Sequence, residues 1–313
     1  MDNQVKLITD PTVIVLGGMA LYEEGLNELV DWVGDYRPEC LPDGLSAIPS
    51  IRAMALFPHT GMEHDRALTD NELLVELAGR SCYHSYGLKA GRKDNSAYIA
   101  HAIFPEDPKM IPHASIGYHA KMTFFIAGIS RRVSHELIRH YVGADRDEEG
   151  SPSQESTRYT EHPGHFVVPP RVLAAVEREF AETPKHDLGW AGLAIEAGLA
   201  PSQHDMPSAK EFRTSMEDAY ANYRSYITHE VNDFATRNRG EVPKGMDRKR
   251  IYEAAAGLLP MQACTSLVWT TNPMALNKLF RERDNEAADL EFARLAKKWR
   301  KIATDRWPNL FQG

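Results

Sequence analysis

The chain has 313 residues, with 36 Lys and Arg against 44 Asp and Glu, a formal charge of −8, and 42% hydrophobic residues. That length suits one large domain or two ordinary ones with a substantial core, and 26% charged residues without a low-complexity tract argue against a disordered chain. Net acidity disfavours a nucleic-acid polymer as partner, which needs a broad basic face, but leaves room for a small anion held by a few local arginines.

The opening stretch mixes short apolar runs, Val5 to Ile8 and Val13 to Leu16, with breaks at Pro38, Pro42 and Gly44, and predicts short strands and helices in no settled order. The apolar run Thr12 to Leu21 is about half a membrane span, contains Gly17 and Gly18, and follows an acidic start. Neither a membrane anchor nor a secretory signal is expected. Cys40, Cys82 and Cys264 show no CxxC or Cys/His zinc spacing, which fits a reducing cytoplasm. Thr69-Asp70-Asn71-Glu72 places capping residues ahead of Leu73, Leu74, Leu77 and Ala78 and predicts a helix.

From Ala120 to Tyr141, residues Met122, Ile126, Ile129, Val133 and Leu137 recur at steps of 4, 3, 4 and 4, which predicts one long helix with these side chains buried. The same register aligns Arg132, Glu136 and Arg139 on another face, a pattern more often solvated than ligand-binding. Gly143 to Ser153 reads as a loop, Phe166-Val167-Val168 before Pro169 and Pro170 as a short strand, and residues 182–207 as an irregular insertion. Ser208 with Glu211 signals a second long helix with the stripe Phe212, Met216, Ala219, Tyr223, Ile227, Val231 and Phe234. Asp284 to Trp307 predicts a charged helix ended by Pro308, with Leu290, Ala293, Ala296, Trp299 and Ile302 inward. With no internal repeat and no Gly/Ser-rich linker, residues 1–313 read as a single helix-rich domain with a few strands, the α+β class.

His162 and His165 form a His-x-x-His pair in a loop, but there is no HExxH and no Cys/His cluster, so no metal site is expected. No Gly-x-Ser-x-Gly elbow and no GxxxxGK(S/T) phosphate loop occur. Cys264 lies in an apolar run and reads as a buried small hydrophobe. The basic cluster says more. Arg131, Arg132, Arg139 and Arg146 fall within sixteen residues, Arg158 follows, and Ser153-Gln154-Glu155-Ser156-Thr157-Arg158 offers small hydrogen-bonding side chains in a loop. Hydroxyls, loop N–H groups and an arginine fork suit a phosphate or carboxylate.

These residues also carry a family resemblance. The run Gly128-Ile129-Ser130-Arg131-Arg132-Val133-Ser134-His135-Glu136-Leu137-Ile138-Arg139-His140, then Ser151 and Ser153 to Tyr159, resembles the signature of the flavin-dependent thymidylate synthases. That signature is an Arg-His-Arg triplet, a short spacer, then Ser, Gln or Glu, Ser, one residue and Arg-Tyr. Gly79-Arg80-Ser81-Cys82-Tyr83, His113-Ala114-Ser115 with His119, Phe166 to Pro170, Leu259-Pro260, Trp269-Thr270-Thr271-Asn272 and Arg283 resemble further family segments in the same order. The resemblance covers roughly residues 72 to 172 and 250 to 310.

It implies an antiparallel sheet with long helices, a homotetramer binding FAD, and reductive methylation at C5 of dUMP, with methylenetetrahydrofolate as carbon donor and NADPH as electron source. A flavin hydride makes an attacking cysteine unnecessary, in keeping with the absence of Pro-Cys-His. By the same resemblance, Glu136, Arg139, Gln154, Ser156, Thr157 and Arg158 contact the uridine monophosphate nucleotide. Arg283 polarises the uracil and, with Ser156, serves catalysis, while Ser115, Arg139, His140, Tyr141, Asn272 and Lys278 face FAD. The extra length would lie in an N-terminal extension over about residues 1–70 and insertions near 142–150 and 182–207.

The departures cluster at charged positions. Tyr141 replaces the third triplet residue, Ala256 the arginine before Leu-Pro, and Met274 the arginine two after Asn272; Tyr118 stands for glutamate and Lys278 for asparagine. Three readings follow: a thymidylate synthase with a rebuilt flavin site, a relative methylating UMP or another pyrimidine nucleotide, as in nucleoside-antibiotic synthesis, and an inactive nucleotide-binding subunit. Retention of Arg139, His140, Ser156, Arg158, Asn272 and Arg283 argues against the last.

Overall fold

The chain's first apolar runs are strands, the first through its pairing with a later segment and the second with burial that alternates along it. In the computed structural model, which describes residues 5–43, 68–89, 99, 102–104, 113–142, 152–173 and 209–311, they form β1 (Lys6–Ile8) and β2 (Thr12–Gly18). Helices α1 (Glu23–Tyr36), α2 (Asp70–Tyr83) and the one-turn α3 (Ala114–Gly117) follow, then β3 (Met122–Ser130), α4 (Arg131–Val142), β4 (Ser153–Gln154) and β5 (His165–Val167). The chain continues through α5 (Ala209–Arg237), α6 (Gly245–Ala256), β6 (Cys264–Thr271), α7 (Pro273–Arg283) and α8 (Leu290–Arg306). One sheet has the order β2-β3-β6-β4, with β4 antiparallel to β6 through Ser153–Val268 and Gln154–Leu267. A second pairs β1 with β5 in parallel, Leu7 opposite Phe166. This is the α+β class. The expected insertion at 182–207 and most of the loop at Gly143 to Ser153 lie outside the described residues.

The long helix expected over Ala120 to Tyr141 is instead a strand running straight into a shorter helix. Met122, Phe124 and Ile126 are fully buried while Thr123, Phe125 and Ala127 are half-buried, the alternation of a strand. Apolar residues on both faces also satisfy a helical register, so periodicity alone misleads; pairing with β2 and β6 on either side settles the strand. Val133 and Leu137 keep their expected buried places in α4. Helix α8 starts later than expected, at Leu290, where Asp289 Oδ1 accepts the N–H groups of Glu291 and Phe292, both at 3.1 Å. Its buried side is Phe292, Leu295, Ala296, Trp299 and Ala303, and Leu290 is exposed. The α2 start follows the sequence: Thr69 and Glu72 form a reciprocal capping box.

The chain divides into two compact units. One comprises Met1–Ile14, Phe125–Trp269 and Asn285–Leu295. Its core packs the α5 residues Met216, Tyr220, Tyr223 and Ile227 against Val5, Phe166 and the α6 residues Ile251, Tyr252 and Ala255. The other comprises Val15–Phe124, Thr270–Asp284 and Ala296–Gly313. It holds a cluster of Val30, Val33, Cys40, Leu41 and Tyr86, and an aromatic group in which Trp299 meets Phe124 at 5.1 Å and Phe280 at 6.0 Å. Among the described residues, no helix is long and apolar enough to cross a membrane.

Candidate active site

Helix α4 leaves β3 without a loop, and its first-turn donors are satisfied within the protein. Ser130 Oγ accepts the Val133 N–H at 3.2 Å, while the N–H groups of Arg131 and Arg132 reach the carbonyls of Ala263 and Met261 at 3.0 and 3.2 Å. Glu291 fastens this junction, accepting from Ser130 N at 2.8 Å, Ser130 Oγ at 2.9 Å and Arg132 Nη2 at 3.0 Å. Arg132 also meets Asp289 at 2.5 Å and Glu136 at 3.8 Å. Burial alone would raise the Asp289 carboxyl, but the Arg132 guanidinium and two backbone N–H groups outweigh it and hold it below the ordinary range. Arg132 therefore spends its charge on carboxylates and is no arm of the anion site that the arginine cluster suggested. Further along α4, Arg139 is exposed with no carboxylate partner among the described residues. Glu136 is half-buried, and His140 packs edge-on against Phe292 at 5.6 Å.

The hydroxyl-rich loop is held beside α4. Glu155 N–H donates to Ser266 O and Arg131 Nη2 donates to Glu155 O, each at 2.9 Å. Gln154 Nε2 donates to Ser134 Oγ at 2.9 Å and Thr265 Oγ1 at 3.3 Å. Together these segments enclose a cleft of about 300 Å³, lined by Arg131, Ser134, His135 and Ile138 of α4, by Gln154 and Thr157, and by Ala256, Leu259, Pro260, Met261 and Ala263. Burial lowers the Arg131 pKa, opposed by the charge of Glu155, but a guanidinium stays protonated. The cleft thus has a partly desolvated cation and no carboxylate among its lining residues, which favours an anion.

Ser156 turns the loop, its carbonyl accepting the N–H groups of Tyr159 and Thr160 at 3.2 Å and its Oγ accepting the Arg158 N–H at 3.4 Å. Arg158 Nε pairs with Glu253 of α6, and the Arg158 guanidinium and Lys249 ammonium lie 6.0 and 5.3 Å from the Tyr159 ring centre. Of the expected nucleotide residues in this unit, Gln154 and Thr157 line the cleft; Glu136 and Arg139 of α4 and Ser156 and Arg158 of the loop do not, and Arg146 of the basic cluster lies outside the described residues.

Four expected residues belong to the other unit. Ser115 is exposed in the single turn of α3. Asn272 is buried as the cap of α7, its Oδ1 accepting the Ala275 N–H at 2.9 Å ahead of Pro273. Lys278 is exposed on α7 with no carboxylate partner among the described residues. Arg283 is half-buried in the last turn, where a cation suits the helix dipole.

A family model described as thymidylate synthase complementing protein matches residues 66–309. The chain belongs to this family. Its relatives include the flavin-dependent thymidylate synthase of Mycolicibacterium vanbaalenii, 30% identical over 240 residues, covering 76% of this chain and 77% of that one. The flavin-dependent thymidylate synthase of Mycobacterium sp. strain JLS is 32% identical over 225 residues, 71% of this chain and 72% of that one. Among solved structures, the UMP/dUMP methylase PolB of Streptomyces cacaoi bound with 5-Br UMP has a TM-score of 0.50 at 15% identity, covering 98% of this chain and 94% of that one. The same protein bound with 5-Br dUMP gives 0.50 at 16% identity, over 98% and 95%. At such identity the likeness is one of fold. Family membership makes the chain an enzyme, a flavin-dependent methyltransferase of the thymidylate synthase type.

Within this flavin-dependent synthase, the departures have definite places. Ala256 lines the cleft, so one wall is apolar where the resemblance implies an arginine. Met274 packs on Gly117, where an added Cβ would lie 2.7 Å from Met274 Cγ. Tyr141 is in the final turn of α4. Sequence reasoning passed over Ser134, His135 and Met261 as cleft residues because it set them in a continuous helix or an apolar run. The signal that could have found the junction is Ser130 followed by Arg131, a capping residue opening a helix. Cys264 is half-buried rather than buried, and burial pushes its thiol up to about 11, so it is no ready nucleophile.

Proposed function

We propose that this enzyme carries out FAD-dependent reductive methylation at C5 of a uridine 5′-monophosphate nucleotide, in the dUMP to dTMP sense, with methylenetetrahydrofolate and NADPH as co-substrates. The observation that carries the reading is the cleft, where Arg131, the Gln154 amide and the Thr157 hydroxyl surround about 300 Å³ without a carboxylate. A small phosphorylated ligand with a neutral base suits that chemistry.

The residues present also fit a flavin dinucleotide. Arg139 and Lys278 are exposed cations with no carboxylate partner among the described residues, and Ser115 offers an exposed hydroxyl, as phosphate oxygens require. The resemblance assigns Arg139, His140 and Tyr141 of one unit, and Ser115, Asn272 and Lys278 of the other, to the flavin, and Met274 brings it no charge. When bound, FAD supplies the reducing electron pair. The chain's own groups bind and orient: Ser156, Thr157 and Arg158 take the phosphate, and Glu136, Arg139 and Gln154 fix the base and sugar. Arg283 stabilises negative charge on the O4 side of the uracil as C5 becomes nucleophilic. The reading includes a homotetramer in the cytoplasm.

The test is to load the purified protein with FAD, record its absorption, and follow methylated product from dUMP and from UMP by mass spectrometry. A flavin band and methylated dUMP are expected. Failure to take up flavin overturns the proposal, and faster turnover of UMP would reassign the substrate to the ribonucleotide. Arg283→Ala should lose about a hundredfold or more in kcat, and undiminished turnover removes the role given to it.

A further inference from the structure

Gln154 can offer a ligand either an accepting carbonyl or a donating amide nitrogen, and the hydrogen bonds around it decide which. Ser134 has one hydroxyl proton, and it goes to the Arg131 carbonyl at 3.0 Å. A carbonyl only accepts, so Ser134 Oγ meets Gln154 at 2.9 Å as an acceptor, and the atom facing it must be Nε2. The second Nε2 proton is directed at Thr265 Oγ1, 3.3 Å away. Ser134 is 2% exposed and Thr265 1% exposed, so bulk water does not compete for these bonds. Both donors of the amide are thereby spent inside the protein, on α4 and β6, while Gln154 itself is held on β4 by its pairing with Leu267. What remains for the cleft that Gln154 lines is its carbonyl oxygen Oε1.

We propose that Ser134 and Thr265 are positioning residues that fix the Gln154 amide with its carbonyl toward the ligand, so that the site selects a hydrogen-bond donor on the nucleotide at that point. The inference rests on reading the cleft as the nucleotide site. Uridine monophosphates carry two kinds of donor, the imide N3–H and the sugar hydroxyls, and the same carbonyl could accept from either.

Binding of dUMP, UMP, 2′,3′-dideoxy-UMP and N3-methyl-dUMP to the full-length, FAD-loaded protein is measured by titration calorimetry for the wild type and for Ser134→Ala, Ser134→Thr and Thr265→Val. Ser134→Ala and Thr265→Val should each weaken dUMP about three- to tenfold, and Ser134→Thr, which keeps the hydroxyl, should recover wild-type affinity. One analogue should bind the wild type more weakly by a similar factor and bind Ser134→Ala no worse than the wild type, which identifies the donor being read. If the wild type binds neither dUMP nor UMP, the nucleotide reading itself fails and this inference goes with it. If the wild type binds dUMP and the folded variants bind it equally well, the positioning role is refuted while the nucleotide reading stands. Gln154→Glu keeps an acceptor but lacks both amide donors, so unchanged dUMP binding by that variant refutes the role even where a Ser134 variant does not fold.

Discussion

Replacing Glu291 by alanine tests whether the β3–α4 junction is held as the structure indicates. The carboxylate accepts three hydrogen bonds of 2.8 to 3.0 Å, two from Ser130 and one from Arg132, with its side chain 8% exposed. Arg132 keeps Asp289 after the substitution, so its charge is not stranded. The Ser130 N–H has no such recourse: Ser130 is fully buried, and its donor would be left without an acceptor. An orphaned buried donor costs about 1–3 kcal/mol, and the lost charge-assisted bonds bring the total to about 3–5 kcal/mol. At about 1.5 °C per kcal/mol for a chain of 313 residues, the melting midpoint should fall by about 5–8 °C. Glu291→Gln, which keeps one accepting oxygen, should lose about half as much. Differential scanning calorimetry at neutral pH reads both values. A Glu291→Ala midpoint within 1 °C of wild type (about 0.7 kcal/mol) would show that the junction stands without this carboxylate.

Three further expectations follow from single sites. His162 is 2% exposed, and burial, aided by the Arg131 and His165 charges, lowers its pKa from 6.5 to about 4. Between those values the unfolded chain binds more protons than the folded one, so stability should fall as pH drops through that window, by about 2 kcal/mol between pH 7.5 and 5. Urea titrations across pH should show this slope, flattened in His162→Asn. At Gly128 the backbone has φ +70°, and an added Cβ would sit 2.9 Å from the Asp10 carbonyl oxygen, so Gly128→Ala should cost about 2–3 kcal/mol in the same assay. Cys82 is exposed, Cys40 is buried and Cys264 is half-buried with a raised pKa, so Ellman's reagent should find one fast thiol, absent in Cys82→Ser.

What the sequence revealed was chemistry that acts over a few residues. The Thr69–Glu72 capping box, the strand ahead of Pro169 and Pro170, and the stripe of α5 all depend on spacing within one element, and each stands in the structure. Residues 122–130 did not yield to the same reasoning because β3 carries apolar side chains on its half-buried face as well as its buried one, leaving no polar side to break the helical register. The role of Arg132 was equally hidden, since its partners Asp289 and Glu291 lie more than 150 residues away in the chain. Family motifs located the loop at Gln154 and Thr157, but the cleft around it draws on α4 and on the segment from Ala256 to Ala263, whose approach is set by tertiary packing.

The same distinction resolves how a chain of charge −8 can hold phosphates. Counting arginines near the motif overstates the site, because acids within the fold already claim some of them: Asp289, Glu291 and Glu136 surround Arg132, and Glu253 holds Arg158 through Nε. A cation claimed in this way binds a ligand only by exchanging one anion for another or by offering its remaining N–H groups. Arg131 differs, since its Nη2 donates to a neutral carbonyl, that of Glu155, and its charge is partly desolvated beside the cleft, an effect the Glu155 charge opposes. Arg139 and Lys278 differ again, being exposed and without carboxylate partners among the described residues. Anion affinity in an acidic protein is therefore set by which few cations the fold leaves without a carboxylate in direct contact, and in this chain replacing Arg131, Arg139 or Lys278 by alanine should in each case weaken phosphate binding in a calorimetric titration.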